Sequence, residues 1–139
     1  MTSTNHQFSV VLPEGWVDNS SYLFTGPGEE GSQQNIYLNV DRSPGTTDGS
    51  LYAQERIDML KAAFPSVEIL KTEPLLLDNR ASAFELVYTL DKITLRKQVF
   101  VLLQGVGYTF AGDFSPRSIK TVGTFVKKIA SSLAVTKST

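Results

Sequence analysis

The run VFVLL at residues 99–103 constrains the fold more than any other stretch of this chain. On a strand, Val99, Val101 and Leu103 point to one face and Phe100 and Leu102 to the other. A strand that is apolar on both faces needs cover on both. The run is also far shorter than the roughly 20 apolar residues that span a bilayer. It belongs inside a sheet.

The rest of the chain reads as strands at hairpin spacing around two helices. Phe8, Val10 and Leu12 alternate before Pro13 and predict a first strand, turned by "EGW". Residues 20–25 predict a second, closed by "GPGEEGS". Residues 34–41 alternate, with Ile36, Leu38 and Val40 on one side and Asn35, Tyr37 and Asn39 on the other. Asp48 or Ser50 can cap a helix over 51–64, with Ala53, Ile57, Leu60 and Phe64 as its buried stripe and Pro65 as its stop. Residues 67–77 follow as a strand in which Pro74 marks an edge or a bulge. After "DNR" comes 81–90, with Phe84, Leu86, Tyr88 and Leu90 sharing a face. Asp91-Lys92 predicts a tight turn, and 93–104 and 106–114 form a hairpin across Gly105 and Gly107. Ser115-Pro116 opens a last helix whose stripe is Ile119, Val122, Val126, Ile129 and Leu133.

The order is β-β-β-α-β-β-β-β-α in a single domain, 1–139. The class is α+β, with a mainly antiparallel sheet of about seven strands and two amphipathic helices packed on it. If both helices cover one face, the other is closed by curling strands or the N-terminal arm, or is left as an apolar groove for a partner. Gln98, on the Phe100–Leu102 face, could bond a partner's backbone inside such a groove.

Composition removes most catalytic readings. A net charge of -1 supplies no field that would draw the chain onto nucleic acid or anionic lipid. There is no cysteine, and His6 is the sole histidine, so thiol chemistry, a zinc-thiolate centre and a multi-histidine metal site are excluded. The serines lack a G-x-S-x-G elbow and a partner histidine. "GPGEEG" lacks the Lys-Ser/Thr of a phosphate loop and carries Glu29 and Glu30, which repel phosphate. The expectation is no catalytic residue, no metal and no cofactor. "MTSTNHQ" has neither basic residues nor an apolar core, which makes the cytoplasm the expected compartment. Trp16, the only tryptophan, is expected to plug the turn after the first strand.

The opening "FSVVLPEGWVDNSSYLF" resembles the start of the bacterial DcrB-related, PsbP-like families. The likeness continues through "NVDRSPGTTDGSLYAQERIDMLKAAFPSVEILK" and "LRKQVFVLLQGVGYTFAGDF". Within these families the layout is most similar to the Eag-type chaperones of type VI secretion. Those are cytoplasmic, non-enzymatic proteins that hold transmembrane segments of toxin effectors in a sheet-lined cradle. The resemblance implies a curved antiparallel sheet with helices on its outer side, and hydrophobic helices of a secreted effector as the partner, without stable membrane insertion. It allows a homodimer. Carried over by position, the partner-binding residues are Ser21, Leu23, Asn39, Arg56, Phe64 and Gln98. Ser21 and Asn39 stand where these chaperones tend to carry aliphatic residues, and Arg56 where they carry glutamine. The alternative is a PsbP- or DcrB-like binding or assembly module with another protein partner.

Overall fold

The computed structural model describes residues 10–16, 20–27, 33–42, 44–77, 82–114 and 119–133, the side chains of 33, 82 and 119–123 excepted. The elements are β1 Ser21–Pro27, β2 Gln33–Asp41, α1 Gly49–Ala63, β3 Glu68–Leu76, β4 Ser82–Thr89, β5 Leu95–Leu103, β6 Val106–Phe114 and α2 Ile119–Ser131. The strands make one six-stranded sheet in the order β1-β2-β6-β5-β4-β3, and every neighbouring pair is antiparallel.

Local chemistry sets the hairpins. Between β5 and β6, Gln104 (φ 51°) and Gly105 (φ 77°) form a two-residue connection with both residues left-handed, the geometry that matches strand twist. The turn after β4 is longer than the Asp91-Lys92 pair suggests. Residues 90–94 close it, with Lys92 at φ 66°. Asp91 Oδ1 accepts from the amides of Ile93 and Thr94, both at 2.8 Å, and Thr89 Oγ1 donates to the Thr94 carbonyl at 2.8 Å. β3 is an edge strand carrying Pro74, which stands opposite Phe84 of β4, and its register shifts between Ile69 and Lys71.

β5 is buried on both faces, with Val99, Phe100 and Val101 almost wholly enclosed. The two faces belong to different cores. Val99 and Val101 pack with Ile36, Leu38, Phe110 and, from α2, Val126 and Ala130. Phe100 packs with Leu86, Tyr88 and, from α1, Tyr52, Ala53 and Ile57. The helices therefore lie on opposite faces, which corrects the expectation that both lie on one outer side. Topology explains it. α1 carries the chain from β2 across one face to the far edge at β3, whereas α2 leaves β6 and folds onto the other face.

Two further expectations fail. Residues 10–12 form no strand and are exposed, so the described sheet has six strands rather than seven. Trp16 is not a plug, being 70% exposed. Its amide donates to the Pro13 carbonyl at 3.1 Å, and with Gly15 at φ 88° this makes a turn that stands outside the packed layers. Phe8 and the Ser115-Pro116 cap lie outside the described residues.

Candidate functional site

Antiparallel register aligns side chains in rows across the face that carries α1. One row runs Leu23, Tyr37, Ala111, Gln98, Leu86 from β1 to β4. The next runs Ser21, Asn39, Thr109, Phe100, and on the other side Thr25 pairs with Asn35 and Asp113 with Arg96. α1 packs over β4 and β5, and among the described residues no helix covers the β1-β2-β6 half of this face. Leu23 is 53% and Tyr37 41% exposed there, side by side in register. The bare half is bounded by α1 on one side and the sheet edge on the other.

Where the bare half meets α1 there is a cavity of about 490 Å³. The sheet contributes Asn39, Asp41, Gln98, Phe100 and Thr109, and α1 contributes Tyr52, Arg56, Met59 and Leu60. Helix periodicity places Tyr52 and Arg56 one turn apart, so both reach the strand ends. The Tyr52 hydroxyl donates to Asp41 Oδ2 at 3.3 Å, and Arg56 Nη1 lies 3.8 Å from the same oxygen. The guanidinium sits over the Tyr52 ring, 4.7 Å from its centroid. Burial, reinforced by the Asp41 carboxylate, pushes the Tyr52 phenol above its ordinary value. Tyr52 seats here because Gly107, opposite Asp41 in register, has no side chain. A Cβ there would run into the Tyr52 hydroxyl.

Of the residues expected to bind a partner, Asn39, Arg56 and Gln98 line this cavity. Ser21 pairs with Asn39, and Leu23 lies two residues farther along the same edge strand. Phe64 stands apart. It is the C-cap of α1, one turn beyond Leu60, and is 47% exposed. Sequence reasoning missed the Asp41–Tyr52–Arg56 cluster. The i, i+4 spacing of Tyr52 and Arg56 was the available signal, with Asp41 next in line on the Asn35–Tyr37–Asn39 side of β2.

The other charged groups are structural in their geometry. Glu85, 5% exposed on the α2 face, contacts Lys97 at 2.7 Å and Lys71 at 3.4 Å. Burial works to raise its carboxyl, but the Lys97 and Lys71 ammonium groups outweigh burial and leave it below its ordinary value. Arg96 grips Asp113 through Nε at 2.6 Å and Nη2 at 2.9 Å, which pushes the guanidinium further up. Among the described residues no group of His, Cys, Asp and Glu is arranged to hold a metal, and no helix is long and apolar enough to cross a membrane.

No protein-family model matches the chain, and no curated protein is significantly similar to it in sequence. Solved structures do resemble it. The Pseudomonas aeruginosa protein PA94, of unknown function, matches over 91% of this chain and 90% of that one, at 15% identity and a TM-score of 0.71. The cyanobacterial PsbP (CyanoP) of Synechocystis matches over 91% of this chain and 98% of that one, at 11% identity and a TM-score of 0.56. Identities this low establish a fold alone, and that fold is PsbP-like.

Proposed function

We propose that the protein is a non-enzymatic chaperone or adaptor that cradles a hydrophobic helix of a partner on the bare half of the α1 face. The sequence resemblance to Eag-type chaperones points to a transmembrane segment of a type VI secretion effector as that helix. The observation that carries the reading is the exposed Leu23–Tyr37 pair on a sheet half walled by α1, whose Met59 is also exposed. Strands about 4.8 Å apart make β1, β2 and β6 a floor roughly 14 Å wide. A helix about 10–12 Å across fits that floor, lying beside α1. Burying its apolar surface is worth about 25 cal/mol per Å² before the costs of association.

The test is co-expression with a soluble carrier bearing a 20-residue Leu/Ala segment, followed by pull-down. Wild type and Phe125→Asp, altered on the α2 side, are expected to recover the carrier, and Leu23→Asp to lose it. Equal recovery by wild type and Leu23→Asp would sink the cradle. A second reading, a binding module for a folded protein, is favoured by the polar side chains that flank the apolar row, Ser21, Asn39 and Thr109 on one side and Thr25 and Asn35 on the other. Under it, the carrier is not recovered by any variant.

A further inference from the structure

We infer that the cavity beside α1 is a socket for the C-terminal end of the cradled helix, in which Arg56, Asn39 and Gln98 cap its free carbonyl oxygens. This rests on the cradle reading and adds to it a polarity and a chemistry of recognition. Arg56 Nε is the one buried side-chain nitrogen or oxygen among the described residues that has no hydrogen-bond partner. A buried donor left unpaired costs free energy, and buried donors in native structures are nearly all paired. The Asp41 carboxylate, 3.8 Å from Nη1, is beyond hydrogen-bond length. The guanidinium is thus held in place by the Tyr52 ring and by charge, with its hydrogen bonding incomplete. Its side chain retains 30% of its exposure, and it lines the cavity together with the Asn39 and Gln98 amides. A small turn of the fork, which the long contact to Asp41 permits, would let it meet oxygens arriving in the cavity.

Helix ends select the oxygens. The last four carbonyls of an α-helix have no partner within the helix, and that end carries about half a negative charge. Inside an apolar cradle water cannot satisfy them, so a cation with amide donors around it is the complement. The opposite end of a helix would present N–H donors and positive charge to Arg56, and Asp41, the one carboxylate in the lining, is already engaged by Tyr52 and Arg56. A carboxylate is a poorer match than neutral carbonyls, because Asp41 already supplies the compensating negative charge in the site.

The experiment uses the full chain with carrier-borne 20-residue Leu/Ala segments that carry a photo-crosslinking residue in either the first or the last turn. In wild type the last-turn probe is expected to crosslink to α1 and its facing strands, and the first-turn probe not to. Arg56→Met should weaken capture roughly tenfold, the loss of one charge-assisted hydrogen bond, and erase the end preference. Gln98→Leu, which keeps the guanidinium, should weaken the preference less. A segment that ends in its own glycine cap satisfies its carbonyls and should bind wild type as weakly as the uncapped one binds Arg56→Met. If Leu23→Asp abolishes capture while Arg56→Met and the self-capped segment leave affinity and end preference unchanged, the socket is wrong and the cradle stands. Tighter capture of a segment carrying Asp in its last turn would equally overturn the socket. If Leu23→Asp captures as wild type does, cradle and socket fall together.

Discussion

At the scale of single residues, Gly107 and Tyr52 control the shape of the candidate site. Among the described residues Tyr52 is the largest wholly buried side chain, and its hydroxyl and the ring carbon that bears it occupy the space a Cβ at Gly107 would take. Gly107→Ala is therefore expected to lower stability by about 1–3 kcal/mol through overpacking, read as a shift in the denaturant midpoint. On a Tyr52→Leu background, which removes the ring as well as the hydroxyl, Gly107→Ala should cost much less. If Gly107→Ala costs the same with and without the ring, the collision is not the cause. Such dependence was hidden in the sequence, because strand alternation shows which face a residue takes but not which distant helix leans on it. Tyr37 and Asn39 were legible for that same reason, since alternation alone puts them on the side opposite the Ile36–Leu38–Val40 core, whereas Leu23 came only with the family resemblance. Trp16 was misread because an aromatic ring beside a turn packs only if an element comes to meet it, and here the ring is exposed.

The helices do different jobs at the scale of elements. The Asp48 carboxylate accepts from the amides of Ser50 at 2.9 Å and Leu51 at 3.3 Å and so starts α1, which buries Tyr52, Ala53 and Ile57. Its expected stripe breaks at Phe64, where the backbone leaves helical geometry (φ -132°, ψ 82°) and the ring turns outward. α2 holds the other face through Val126 and Ala130, both fully buried. Val126→Ala should cost about 2–3 kcal/mol from lost burial and the cavity left behind. Because α2 is on the face away from Leu23, the variant should still recover the Leu/Ala carrier at temperatures where it is folded. Loss of capture by a folded Val126→Ala protein would show that the binding surface is on the α2 side. The start of α1 was readable from capping chemistry, and the Ala53–Ile57 part of its stripe from 3.6-residue periodicity. Which face each helix covers was not, since an amphipathic stripe specifies that a helix packs but not where.

For the molecule as a whole, pH provides a test of how the sheet's far half is held. Glu85 joins β3 and β5 to β4 through Lys71 and Lys97, and its carboxyl lies below the ordinary value of 4.5. A depressed carboxylate contributes stability that is fully present above about pH 4.5 and is lost as pH falls through the lower folded value. Denaturant midpoints between pH 7 and pH 3 should therefore fall more steeply below pH 4.5 in wild type than in Glu85→Gln, which should be the less stable protein at pH 7. Parallel curves would mean that the cluster contributes nothing to acid sensitivity. By itself the sequence determined the α+β class, the antiparallel hairpins, the two faces of each strand and the two-sided burial of β5, because those follow from local periodicity and turn chemistry. Only the tertiary structure decided that the helices lie on opposite faces, that α1 covers β4 and β5 rather than β1, β2 and β6, and that Asp41, Tyr52 and Arg56 meet beside it. Those features depend on the path α1 takes across the sheet and on the register of strands distant in sequence, and neither is encoded in the pattern of any single segment.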